Sequence, residues 1–175
     1  FNQQVRARIF WHESLLVEGE LLMVVKNNYF WSNSEEVSFI ANGDLTEVVR
    51  INKCIDRFGL RFAEVTLCFV DYPSRPEIDT LILLDCLEEP HPGFPRDKMK
   101  ALWYDILATY EQEKNLGKRR KQALEDPFMN ALHVKYAYAI TCHKSQGGQW
   151  PVVFIDHGYL TEEMMGNSFL RWLYT

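Results

Sequence analysis

Thr141, His143, Lys144, Ser145 and Gln146 put hydroxyl, imidazole, ammonium and amide groups side by side, and Gly147 and Gly148 follow directly. Such a set suits a phosphate-bearing ligand. The hydroxyls and small amides position phosphate oxygens without reading a base sequence. Lys144 adds a positive charge whose contribution falls as salt rises. The glycines lack a β-carbon, so the backbone can turn sharply or approach a phosphate closely. Gln149 adds a long amide side chain that can both donate and accept hydrogen bonds. For His143 two readings stand: a solvated loop histidine, or a donor to phosphate that also stacks on a base or sugar.

A polar loop of this kind needs elements to hold it. Residues 136–141 read as a buried strand before the loop, and Val152–Ile155 as a second one after it. Ligands of open α/β sheets sit beyond the carboxyl ends of such strands. Trp150, ahead of Pro151 and an apolar run, reads as a core anchor. Thr161 is expected to open a helix with Glu162 and Glu163 in its first turn, where they complement the helix dipole.

Familiar alternatives for the loop fail on spacing. A phosphate-binding P-loop needs Gly-x-x-x-x-Gly-Lys-Ser/Thr, and Tyr138 and His143 stand where the glycines should be. Ser145 lies in no Gly-x-Ser-x-Gly elbow. Cys142 and His143, as strand neighbours, would point to opposite faces.

Upstream, Asn2 to Trp11 reads as a helix. Leu21–Val25 is a continuous apolar run, the pattern of a strand covered on both faces. Asn33 to Glu36 reads as a loop. Residues 37–87 read as short strands, clearest where Ala63, Val65, Leu67 and Phe69 alternate with Glu64, Thr66 and Cys68. Thr80 to Leu87 is a further strand candidate. Asn42-Gly43-Asp44, Arg57-Phe58-Gly59 and Tyr72 to Pro76 supply turns. That spacing predicts a small antiparallel barrel. Glu89 to Arg96 is a connector. Asp97 is expected to cap a helix carrying Met99, Leu102, Trp103, Ile106, Leu107 and Tyr110 at helical spacing, with Gly117 ending it. A second short helix follows, with the basic run Lys118-Arg119-Arg120-Lys121. It is either a structural brace or a ridge facing nucleic acid.

The 175 residues suit one ordinary domain or two small ones, and 47% hydrophobic content fills a core. The net charge of −5 weighs against nucleic acid, although local charge matters more than the total. Cys54, Cys68, Cys86 and Cys142 form no Cys-x-x-Cys pair, so a zinc site is not expected and reduced thiols of an intracellular, cytoplasmic protein are. No apolar run is long enough to span a membrane, and no signal peptide is evident.

The segment Ala137-Tyr138-Ala139-Ile140-Thr141-Cys142-His143-Lys144-Ser145-Gln146-Gly147-Gly148 resembles the late motif of superfamily 1 helicases of the RecD-like branch, Ala-Tyr-Ala-Ile-Thr-x-His-Lys-Ser-Gln-Gly-x-Glu. Gln149 stands where that family usually has Glu. Two further segments follow the family's order upstream: Gly19 to Tyr29, with Glu20 in place of the usual Asp, and Phe39 to Asp44. The resemblance implies a mixed α/β architecture. Residues 1–32 and 134–175 would be parts of a second RecA-like motor domain with a parallel sheet. Residues 33–133 would be an inserted Src-homology-3-like barrel, elaborated by the helices near 97–126.

The same resemblance implies an ATP-dependent helicase stepping 5′ to 3′ along single-stranded DNA. Thr141, His143, Lys144, Ser145, Gln146, Asn27 and Asn28 would face the strand, and Gly147, Gly148 and Gln149 the nucleotide. ATP and Mg²⁺ would be held mainly by an N-terminal domain outside this sequence, leaving no catalytic residue here. Phe1 in place of Met, and an apolar helical pattern with no stop signal at Ser168 to Thr175, lead to the same expectation of a piece of a longer, active enzyme. A non-enzymatic nucleic-acid-binding or protein-interaction module built on the barrel is the alternative.

Overall fold

The computed structural model describes residues 1–32, 37–91, 93–145, 150–156 and 166. The chain divides into two compact units, Phe1–Ala139 and Ile140–Thr175.

The first unit is built on a closed five-stranded barrel in the order β1-β2-β3-β4-β5. Its strands are β1 (Leu21–Val24), β2 (Leu45–Arg57), β3 (Leu60–Phe69), β4 (Glu77–Leu83) and β5 (Leu132–Tyr136). All neighbours pair antiparallel except β4 and β5, which run parallel through Ile82 and Leu83 against Leu132 and His133. Closure pairs β1 with β5 and so shortens the open strand edge that could template association.

Turn chemistry sets the register. β2 and β3 join through Phe58 and Gly59, both at positive φ (55° and 67°), so Arg57 pairs with Leu60. This is the two-residue hairpin whose twist matches that of its strands. Gly19, at φ 81°, turns the chain into β1, and its N–H donates to the Val48 carbonyl at 2.7 Å.

The alternating residues of β3 fill the barrel interior. Ala63, Val65, Leu67 and Phe69 join Leu22, Val24, Val48, Ile82, Val134 and Tyr136 in one apolar cluster. The opposite face is also covered. Phe62 packs with Leu81, Leu83, Cys86, Leu102, Ile106 and Ala123 in a second cluster. Its helical half comes from α2 (Asp85–Glu88), α3 (Arg96–Thr109) and α4 (Leu116–Leu124). Ile106 and Leu102 are the buried face of α3. The basic run lies on α4, where Arg119 Nε donates to the Leu107 carbonyl at 2.9 Å and ties the two helices together.

Helix α1 (Asn2–Arg8) precedes the barrel. Arg6 crosses to Glu20, whose carboxylate is fully buried, and lies 4.2 Å over the Tyr136 ring. Asn2 and Ala139 form a two-way amide pair: Asn2 Nδ2 donates to the Ala139 carbonyl, and the Ala139 N–H donates to Asn2 Oδ1, each at 2.8 Å.

Several expectations are corrected. The first helix stops at Arg8, and Trp11 adopts φ 57°. β1 lies between antiparallel neighbours in the barrel, so the run that read as a sheet strand of the flanking region is a barrel strand. The strand candidate at 80–87 splits into β4 and α2, because Asp85 accepts the Arg61 N–H at 2.6 Å and pairs with its guanidinium. Pro95, rather than Asp97, stands at the start of α3. Gly117 does not end that helix; it lies inside α4, which Asn115 caps by accepting from the Lys118 N–H. The strand expected at 136–141 ends at Tyr136. Val152–Ile155 is exposed and forms no strand, and Trp150 is exposed as well. Cys68 and Cys86 are buried as core thiols, whereas Cys54 is exposed. The loop at 33–36 and the helix from Thr161 lie outside the described residues.

Candidate nucleic-acid interface

In the second unit the motif forms a single helical turn, α5 (Cys142–Ser145). The Thr141 carbonyl accepts from the Lys144 and Ser145 N–H groups at 2.9 and 3.1 Å. Ser145 Oγ donates to the Cys142 carbonyl at 2.8 Å. The Ser145 hydroxyl is therefore engaged within the turn, while the Thr141, His143 and Lys144 side chains are exposed. The turn places an imidazole and an ammonium next to each other at a surface, an arrangement suited to screened contact with phosphates. Gln146, Gly147, Gly148 and Gln149 lie outside the described residues.

Asn27 and Asn28 belong to the first unit, just after β1, and hydrogen bonds define their roles. Asn28 Oδ1 accepts from the Phe30 and Trp31 N–H groups at 2.9 and 3.2 Å. Its Nδ2 donates to the Asn130 carbonyl at 2.8 Å, which also accepts from Trp31 Nε1. A side-chain amide used on both ends holds a turn; such capture of nearby backbone N–H groups is the usual work of Asn in turns. Asn27 is exposed, and its Oδ1 accepts from the Asn42 N–H at 2.8 Å. A backbone bridge between Asn28 and Ile40 completes the link to the 40–44 turn.

The locked turn borders a cavity of about 160 Å³ lined by Lys26, Asn27, Asn28, Tyr29, Phe30, Met129, Asn130, Ala131 and His133. His133 is buried, and its imidazole is pushed down to about 4 by that burial and by the nearby Lys26 ammonium. It is neutral at pH 7. Tyr29 stacks on Phe39 with ring centroids 5.3 Å apart and planes at 22°. Lys26, Tyr29, Phe39 and His133 are not among the residues that the sequence singles out as candidates. The signal for Tyr29 was an aromatic residue directly after two asparagines.

Burial also acts on two tyrosines near the end of the first unit. The Tyr136 and Tyr138 hydroxyls are pushed up to about 12, chiefly by desolvation. Tyr136 donates to the Leu15 carbonyl, and the Tyr138 hydroxyl accepts from the Leu21 N–H. Both are structural tethers at the end of β5.

Residues 136–175 match the family profile of the UvrD-like helicase C-terminal domain. The match begins where β5 ends and takes in the whole His143-Lys144-Ser145 turn. It supports a superfamily 1 helicase C-terminal part in this stretch, and with it nucleic-acid interaction in general. No curated protein matches the chain. Among the described residues no group of His, Cys, Asp and Glu is arranged to hold a metal ion, and no helix is long and apolar enough to cross a membrane.

Proposed function

We propose that the chain is the C-terminal part of an ATP-dependent DNA helicase of the RecD-like branch, moving 5′ to 3′ on single-stranded DNA. The observation that carries this reading is the UvrD-like match at 136–175, which covers the residues of the Thr-x-His-Lys-Ser-Gln-Gly motif. On this reading the segments flanking the barrel belong to a second RecA-like motor domain, and the barrel is its Src-homology-3-like insert. β1 (Leu21–Val24) and β5 (Leu132–Tyr136) are strands of that barrel.

His143 and Lys144 then contact the phosphates of the bound strand, with Thr141 and Gln146 beside them. Gly147, Gly148 and Gln149 approach the nucleotide. ATP and Mg²⁺ are gripped by another RecA-like domain, since these 175 residues contain no Gly-x-x-x-x-Gly-Lys-Ser/Thr sequence. The chain alone binds single-stranded DNA and turns over no ATP.

The test is fluorescence anisotropy of a labelled oligodeoxythymidine against the chain and its His143→Ala/Lys144→Ala variant, with ATPase measured in parallel. The double variant is expected to weaken binding roughly tenfold and to flatten its salt dependence. Equal binding by both proteins, or ATP turnover by the chain, overturns the reading. A second reading, a binding module without catalysis, is favoured by one observation: the barrel closes its own hydrogen-bond ladder and core. A Gly-x-x-x-x-Gly-Lys-Thr sequence upstream in the parent gene decides for the motor.

A further inference from the structure

The Asn28 turn spends many hydrogen bonds on keeping an aromatic ring out in water. Tyr29 is 70% exposed and its stacking partner Phe39 37% exposed. The backbone under both rings is held: Asn28 Oδ1 fixes the two residues that follow Tyr29, and the Asn28–Ile40 bridge joins the Tyr29 segment to the Phe39 segment. An exposed aromatic pair gains little from hydration and much from a flat partner laid against it. Lys26 and Asn27, both exposed, line the neighbouring cavity. Lys26 forms no ion pair among the described residues. Beside it His133 is neutral, so Lys26 is the positive charge of the rim.

We infer that Tyr29, backed by Phe39, is a stacking platform for one unpaired base of a single strand, with Lys26 taking an adjacent phosphate. A ring face and a cation at one small rim, with the exposed Asn27 beside them, match the parts of a nucleotide. A base inside a duplex has both faces covered, so the platform selects single strands. Stacking is tolerant of sequence, because every base has a π-face. Asn28 positions this platform and does not touch the ligand. The inference rests on the proposed single-strand binding and adds a contact in the barrel unit that is separate from the His143–Lys144 turn.

The experiment uses the full chain and a labelled oligodeoxythymidine. Tyr29→Ala is expected to weaken binding about 5- to 150-fold, the range of base–aromatic stacking, and Tyr29→Trp to retain it. Lys26→Ala should lower the slope of log affinity against log salt by about one. On an oligonucleotide of abasic sites the Tyr29→Ala defect should vanish. Photocrosslinking of the unaltered chain to a 5-iododeoxyuridine strand should give adducts at Tyr29 or Phe39, a readout independent of any variant's folding. Tyr29→Ala binding within twofold of the unaltered chain, or adducts confined to other residues, overturns the platform. If His143→Ala/Lys144→Ala then still weakens binding, the helicase reading survives that failure. An unaltered chain that binds no single strand overturns both.

Discussion

Arg6 holds Glu20 at two points, Nε to Oε1 at 2.8 Å and Nη2 to Oε2 at 2.7 Å, with both side chains buried. Burial works to lower the Arg6 pKa, but the Glu20 hydrogen bond and the charges around it outweigh that and leave it raised. Nη2 also donates to the Ser14 carbonyl at 2.6 Å. The pair joins α1 to the start of β1 and gives the Glu20 carboxylate the counter-charge its burial demands. Arg6→Met should cost about 3–5 kcal/mol in urea unfolding, because it strands a buried carboxylate. Arg6→Met/Glu20→Leu should recover most of that loss; a double variant as unstable as the single one would refute the argument.

His133 makes stability depend on pH. Its folded-state pKa is about 4 against an ordinary 6.5, so the unfolded chain binds the extra proton between these values. The stabilisation is complete above about pH 6.5 and is lost as pH falls toward 4. The loss can reach roughly 3 kcal/mol. Unfolding of the chain and of His133→Asn, compared from pH 7 to 4, should show the steeper decline in the unaltered protein. Parallel curves would exclude the histidine as the cause.

Asn28→Ala removes an acceptor shared by two backbone N–H groups and a donor to Asn130. The expected cost is about 1–3 kcal/mol. Amide exchange should accelerate at Phe30 and Trp31 well beyond any global change. Asn28→Asp, which keeps the acceptor, should protect those two amides better than Ala does.

The helices pack over the barrel's outer face. Ile106 is fully buried in the cluster that contains Phe62 and Leu83. Ile106→Ala should therefore destabilise the whole barrel unit by about 2–5 kcal/mol in one cooperative transition. Separate melting of the helices would show that they are an independent appendage. By contrast, Lys118, Arg120 and Lys121 are exposed on α4, so changing them to Ala should leave unfolding within about 0.5 kcal/mol.

Local patterns carried much of the barrel. The alternation in β3 and the Phe58-Gly59 turn are short-range signals, and both appear where expected. The misses have long-range causes. The apolar run after Thr80 fits a strand or a buried helix equally well; the Arg61–Asp85 contact decides between them. The stretch after Tyr136 looks like more strand, but Asn2 and the Tyr138 hydroxyl take hydrogen bonds that a ladder would otherwise make. The His143–Lys144 turn was legible because its residues are consecutive. The cavity beside Tyr29 was not, because its walls meet across 102 positions of sequence.

The amide pair between Asn2 and Ala139 spans 137 positions, and Leu22 faces Tyr136 across neighbouring strands. Everything between those points leaves and returns through the same doorway. The two ends of the barrel are thereby tied to each other and, through the Arg6–Glu20 pair, to α1.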